Sequence, residues 1–150
     1  MSLFDDIMTY SDYDWLLVKT YTHWKLYMHP NQHPYIGRCY ASAIRPEADI
    51  ITDMNDIERK ELFDLIIPEW IVALDRLFGM PFRPNFCVLG NEWAHLHTHL
   101  IPRYVRSVLY QGMCFCDPNP RKNYAPYQSQ KIPLELLNCI KSEFTDILCK

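Results

Sequence analysis

The stretch NFCVLGNEWAHLHTHLIPRY, residues 85–104, holds three of the six histidines of the chain at every second position: His95, His97 and His99. Alternate side chains of a β-strand lie on the same face of the sheet. The three imidazoles would therefore form a row, while the mainly apolar residues between them face the helices. This alternation predicts a strand over 95–101, preceded by another strand over 85–91.

Two further strands are indicated earlier in the chain. The segments HWKLYM (23–28) and GRCYASAI (37–44) contain aromatic and apolar residues that suit strands, and the polar segment between them, which holds two prolines, is typical of a loop. Together they predict an antiparallel hairpin.

Helical periodicity marks two other segments. Leucine, isoleucine and tryptophan recur at three- and four-residue spacing from a cap at Asp53 or Asn55 to about Phe78, and Gly79 provides a stop. Pro68 should kink or split this helix near Ile67, since proline lacks a backbone donor. A second amphipathic helix follows Pro133, and residues 4–18 suit a short helix. The pattern predicts a single α+β domain over 1–150, with an antiparallel sheet covered by helices.

Composition limits the possible partners. The chain has 150 residues, a net charge of -3 and 22% charged residues, so it is not a polycation built to bind a nucleic acid polymer. No apolar run approaches the roughly 18 residues that span a bilayer, and no export signal is evident. The six cysteines are scattered without a C-x-x-C pair. We therefore expect a cytoplasmic protein that has no membrane association.

The histidine row can support two kinds of chemistry. Its outer members would be rooted roughly 13 Å apart, so all three cannot bind one metal ion, although two of them could. Alternatively, a neutral imidazole is a good nucleophile when one nitrogen is held as an N–H donor and the other is free. Attack on phosphorus would form a phosphoramidate, and the neighbouring histidines would donate hydrogen bonds or a proton.

The segment HLHTHLIPR resembles the signature of the histidine triad (HIT) superfamily, and the likeness extends over roughly residues 23–127. The resemblance implies a HIT-like fold, with an antiparallel sheet of about five strands, a long central helix and a C-terminal helix. It implies a nucleotide hydrolase or nucleotidyl transferase that cleaves at the α-phosphate of a dinucleoside polyphosphate or a nucleoside phosphoramidate. It also implies a homodimer. No cofactor is expected to be obligatory, although magnesium can accompany a polyphosphate substrate.

The resemblance also implies roles for particular residues. His97 would be the nucleophile that is transiently nucleotidylated, His95 would orient it, and His99 would contact the phosphate. Asn91 matches a family asparagine close to the phosphates, and Asn31 falls near a position that contacts the ribose.

Five more residues are candidates for substrate binding on chemical grounds. Arg103 follows the row directly, and a guanidinium can hold two phosphate oxygens at once; Arg38 is a second such candidate. The long polar loop over 116–131 could bring Lys122, Asn123 and Tyr124 over the site.

The sequence departs from the family pattern in several places, of which Thr98, where an aliphatic residue is usual, is a mild one. The Gly-Gln-Ser/Thr segment that precedes the first histidine in many relatives is missing, Arg38 follows Gly37 where many have histidine, and Pro46 stands at another common histidine position. These departures leave open a nucleotide-binding or interaction protein with little or no turnover. A metalloenzyme that uses two of the histidines is a separate alternative, which follows from the spacing of the row.

Overall fold

A five-stranded antiparallel sheet carries the histidine row in the computed structural model, which describes residues 10–125 and 130–150. Its strands are β1 (Leu17–Thr20), β2 (Trp24–Met28), β3 (Cys39–Ala43), β4 (Phe82–Cys87) and β5 (His97–Tyr104). They lie in the order β1-β2-β3-β5-β4. The α+β class, the five-stranded sheet and the two helices predicted from the sequence are confirmed.

The expected hairpin is formed by β2 and β3, which pair from Trp24 opposite Ala43 to Met28 opposite Cys39. The start of the chain differs from expectation. Residues Tyr10–Leu16 form a 3-10 helix and lead directly into β1, so the helix expected over 4–18 is shorter and of another type in the part described. Residues 4–9 of that prediction lie outside the described residues.

The central helix begins at a capping box. The side chain of Asn55 accepts a hydrogen bond from the Glu58 backbone N–H at 2.9 Å, and the Glu58 carboxylate accepts one from the Asn55 N–H at 3.0 Å. Its segments are α1 (Asp56–Glu61), a π-helical turn (Leu62–Ile66) and α2 (Ile67–Phe78). Gly79 ends it with a φ of 60°. The wider turn immediately before Pro68 accommodates the proline without splitting the helix.

The C-terminal helix α3 (Leu134–Leu148) follows Pro133, as expected, and packs against α2. It buries a stripe of five apolar residues: Leu136, Leu137, Ile140, Phe144 and Leu148. The remaining elements are a 3-10 turn (Ile51–Asp53) and a small hairpin of β6 (Val108–Tyr110) and β7 (Met113–Phe115), which the sequence analysis did not predict.

Two strand boundaries also differ from the prediction. β4 begins at Phe82 and ends at Cys87, so it lies earlier than the expected 85–91. β5 begins at His97, which leaves His95 just before the strand, and it continues to Tyr104. β4 is an edge strand, so it tolerates Pro84.

The two faces of the sheet have different surroundings. Leu96 and Leu100 are almost fully buried in the core, which includes Trp70 and Leu74 of α2. His97 and His99 lie on the opposite face. Within the residues described, the structure has no helix with the length and apolar character needed to cross a membrane.

Candidate active site

The centre of the candidate site lies on β5, the strand between β3 and β4. His97 stands opposite Ser42, and His99 stands opposite Tyr40 on β3 and Cys87 on β4. Directly opposed residues of an antiparallel pair point to the same face. This face therefore combines imidazole, hydroxyl and thiol groups, and the segment over 88–96 runs beside it.

His97 is held in a single tautomer. Its Nδ1 lies 2.7 Å from the backbone carbonyl oxygen of His95. Because a carbonyl can only accept, Nδ1 carries the hydrogen, and the lone pair of Nε2 is left for chemistry. Burial lowers the pKa of His97 below its usual 6.5, so the ring is neutral at neutral pH.

His95 is oriented by a second carbonyl. Its Nε2 lies 2.6 Å from the backbone oxygen of Ala43, at the end of β3, and therefore carries a hydrogen. Its own backbone carbonyl in turn receives the His97 N–H. The main chain at His95 thus fixes the direction of the neighbouring imidazole.

His99 lies beside a cation. Its pKa is lowered to about 3, first by burial and then by the positive charge of Arg38 and by His97. Two buried nitrogens here, Nδ1 of His99 and Nε of Arg38, have no hydrogen-bond partner among the residues described. Neutral N–H donors next to an uncompensated guanidinium favour binding of an anion.

Arg38 is rooted in a tightly packed turn. Gly37 has a φ of 91°, and a Cβ atom there would lie 2.1 Å from Cδ2 of Leu74. The Gly37 carbonyl also accepts a hydrogen bond from Nε1 of Trp70 at 2.9 Å. The central helix therefore fixes the backbone from which Arg38 projects.

A fourth histidine, His29, joins the row. Its ring centroid is 5.7 Å from that of His99 and 6.2 Å from that of Tyr40. The backbone N–H of Asn31 donates to its Nδ1 at 3.0 Å, which leaves the hydrogen on Nε2. Burial, and secondarily Arg38 and His99, lowers the pKa of His29 well below 6.5. Asn31 therefore acts on the site at least through its backbone.

An indole covers the nucleophile candidate. The ring centroid of Trp93 lies 4.7 Å from that of His97 and 5.1 Å from that of His95, with interplanar angles of 33° and 31°. His97 is only 6% exposed. The short segment before the row thus places an aromatic ring against two of its three imidazoles.

Arg103 is occupied elsewhere. It forms a buried ion pair with Asp117 and donates to the carbonyl oxygens of Asn119 at 2.7 Å and Lys122 at 3.1 Å. The guanidinium fastens the loop after β7 to β5. We therefore leave Arg103 out of the proposed phosphate site, although the sequence suggested it.

The other expected site residues are placed less centrally. The side chains of Asn91, Lys122 and Asn123 are exposed, Asn91 on the segment before the row and the others on the long loop. Tyr124 from that loop reaches the site: Cζ of Arg38 lies 5.8 Å from its ring centroid. Residues 126–129 of the loop lie outside the described part.

Sequence reasoning did not single out His29 or Trp93. Both carry a local signal, since His29 directly follows the last residue of a predicted strand and Trp93 lies two residues before the row.

Metal binding by the site has less support than nucleophilic chemistry at His97. Among the residues described, no three or more histidine, cysteine, aspartate or glutamate side chains are grouped so that they could hold a metal ion.

Solved structures of low sequence identity share this fold. A histidine triad protein from Bradyrhizobium japonicum superposes with a TM-score of 0.66 at 18% identity, over 88% of this chain and 89% of that chain. A histidine triad protein from Marinobacter aquaeolei superposes with a TM-score of 0.63 at 15% identity, over 94% of this chain and 95% of that chain. The Plasmodium falciparum diadenosine triphosphate hydrolase superposes with a TM-score of 0.54 at 12% identity, over 89% of this chain and 74% of that chain. No protein-family model matches the sequence, and no curated protein matches it significantly.

Proposed function

Because the chain has the histidine triad fold, we propose that it is a nucleotide hydrolase or nucleotidyl transferase that acts at an α-phosphate. Its substrate would be a dinucleoside polyphosphate or a nucleoside phosphoramidate. The observation that carries the proposal is the hydrogen bond from Nδ1 of His97 to the His95 carbonyl, which leaves the Nε2 lone pair free on a ring that contacts His99, itself next to Arg38.

The reaction has two steps. The Nε2 lone pair of His97 attacks the α-phosphorus, an N–P bond forms, and the P–O or P–N bond to the leaving group breaks with its electron pair. The leaving group departs as the nucleoside polyphosphate anion or, after it takes a proton from solvent, as the amine. Water then attacks the same phosphorus, loses a proton, and returns the N–P electron pair to the imidazole. In a transferase another nucleophile would replace the water.

The surrounding residues supply charge and orientation. The guanidinium of Arg38 and the N–H groups of His99 and His29 are suited to phosphate oxygens, since none of these groups is an anion. His95 keeps the nucleophile aligned. Asn91, Asn31, Lys122 and Asn123 remain proposed contacts to the nucleotide, and Asn91 and the loop would have to approach as it binds.

The proposal includes no metal in the role of the nucleophile and no obligatory cofactor. Magnesium would enter as the counterion of a polyphosphate substrate. We also propose that the protein functions as a homodimer in the cytoplasm. A groove of about 400 Å³ between α2 and β4 supports the dimer, since it is lined largely by apolar side chains.

One experiment tests the chemistry directly. The protein is mixed with a radiolabelled diadenosine polyphosphate or adenosine phosphoramidate and quenched under alkaline, denaturing conditions that preserve a phosphoramidate. We expect labelled protein from the wild type and none from His97→Asn. We also expect the wild type to turn over the phosphoramidate when a chelator is present. Label that persists in His97→Asn would contradict the proposal. Activity that is lost with the chelator and restored by zinc would favour the metalloenzyme.

A nucleotide-binding protein with little or no turnover is the second candidate. The burial of His97 under Trp93 favours it, because a covered nucleophile meets phosphorus only after local movement. Saturable binding of a diadenosine polyphosphate by isothermal calorimetry, without product after prolonged incubation, would support this candidate over the enzyme.

A further inference from the structure

The contact between Trp93 and His97 involves ring faces. The centroids lie 4.7 Å apart and the planes are inclined by only 33°, whereas His99 meets His97 at 75° from 5.1 Å. The indole of Trp93 also meets the ring of Tyr40 almost at a right angle, at 6.4 Å and 89°. The π face of Trp93 is therefore turned towards the imidazole.

The charge of the His97 ring changes during the proposed reaction. Nδ1 already carries a hydrogen, which it donates to the His95 carbonyl. When Nε2 forms a bond to phosphorus, both nitrogens are substituted and the ring becomes an imidazolium cation. Burial opposes such a charge, so its environment must stabilise the cation in another way.

We propose that Trp93 stabilises the cationic, nucleotidylated form of His97 through a cation–π interaction, and that it is a catalytic residue in addition to a cover. The inference rests on the proposed function and assigns a role to the residue that stands in the shortened segment. An indole offers the strongest π face among the side chains, and a separation below about 6 Å is effective.

If Trp93 only excluded water from His97, substitutions at position 93 would have a different effect. Any apolar side chain of similar reach excludes water from His97, whether or not it has a π face. Phenylalanine retains a weaker π face at position 93, and leucine retains apolar bulk without one. The series Trp93, Trp93→Phe and Trp93→Leu thus separates the cation–π interaction from simple burial.

The first measurement is the pKa of His97 in the free protein, followed by NMR through its ring Cε1–H signal. Protonation of Nε2 gives the His97 ring the same positive charge as its nucleotidylation would. We expect the pKa to fall from wild type to Trp93→Phe and further to Trp93→Leu, by roughly half a unit to one unit in the leucine variant. An unchanged or higher pKa in Trp93→Leu would overturn the inference, since it would mean that Trp93 only excludes water.

The second measurement is the rate of nucleotidylation by rapid quench. Trp93→Leu should slow the step by about three- to ten-fold and Trp93→Phe by less, while the dissociation constant of a non-hydrolysable analogue stays nearly constant. Equal rates in the three proteins would contradict the inference. Trp15→Leu, which changes an exposed tryptophan of the 3-10 helix, is the matched control. If wild-type protein is never labelled, the proposed function fails, but the NMR series still decides the role of Trp93.

Discussion

His97 lies in surroundings that disfavour its protonation. Burial on β5 is the largest cause and lowers its pKa, the hydrogen bond from its Nδ1–H to the His95 carbonyl raises the pKa, and the interaction with the His95 ring lowers it again, so that the pKa stays below 6.5. A nucleophile must be neutral, so a lowered pKa extends the pH range in which the ring can attack phosphorus.

The pH profile of kcat/KM should therefore have its acid limb below 6.5. The active form of His97 is present above the lowered pKa and is lost as the pH falls through it. Initial rates measured between mildly alkaline and acidic pH give the midpoint. His33→Asn, which removes a histidine outside the row, should leave the midpoint unchanged, and a wild-type midpoint at or above 6.5 would contradict the prediction.

Individual residues of the site could be predicted only in part. The period-two spacing of His95, His97 and His99 follows from strand geometry, so the row itself could be predicted. The anchoring of Arg103 could not, because Asp117 is fourteen positions away and nothing local marks the pair. His29 reaches the row through the hairpin β2–β3, which brings distant positions together.

The pair Arg103–Asp117 joins two elements, β5 and the loop after β7. Both side chains are almost completely buried. Removing one member of such a pair leaves an uncompensated charge in the interior, which is far more costly than the loss of a surface pair. The loop that carries Tyr124 to Arg38 therefore depends on this contact.

Arg103→Met should lower the free energy of unfolding by about 3–5 kcal/mol. The double variant Arg103→Met/Asp117→Leu should recover part of that loss, since no charge is then left unpaired. Denaturant titration measures both. Arg59→Met breaks the exposed pair with Asp56 and should cost less than about 1 kcal/mol, so it is the control. Equal losses for Arg103→Met and Arg59→Met would refute the structural role.

Elements defined by a strong local pattern were predicted well, and those defined by their neighbours were not. The hairpin β2–β3 and both amphipathic helices follow from side-chain periodicity. The ends of β4 and β5 depend on which partner strand is available. The small β6–β7 hairpin turns at Gln111 and Gly112, which both have positive φ, and glutamine gives little indication of such a turn.

On the scale of the whole molecule, one edge of the sheet is formed by β4, next to helix α2. Apolar side chains from both elements and from their connection line the groove: Ile71, Val72, Met80, Phe82 and Pro84. A two-fold symmetric contact across such an edge would cover both the groove and the free strand. This surface is the basis for the proposed homodimer.

Val72→Asp should convert the proposed dimer into a monomer, because a charge would then be buried at the centre of the contact. Sedimentation velocity at micromolar concentration measures the mass. Ile57→Asp introduces the same charge at an exposed position of α1 and should leave the dimer intact. A wild-type protein that sediments as a monomer under these conditions would contradict the proposal.

The turn at Gly37 connects the hydrophobic interior of the molecule to Arg38 in the candidate site. Trp70 and Leu74 hold that turn from the side of the sheet opposite to the histidine row. Small changes in helix packing would be transmitted along one peptide unit to the Arg38 guanidinium. Substitutions in the hydrophobic interior can therefore change the position of Arg38 in the candidate site, although they lie on the other side of the sheet.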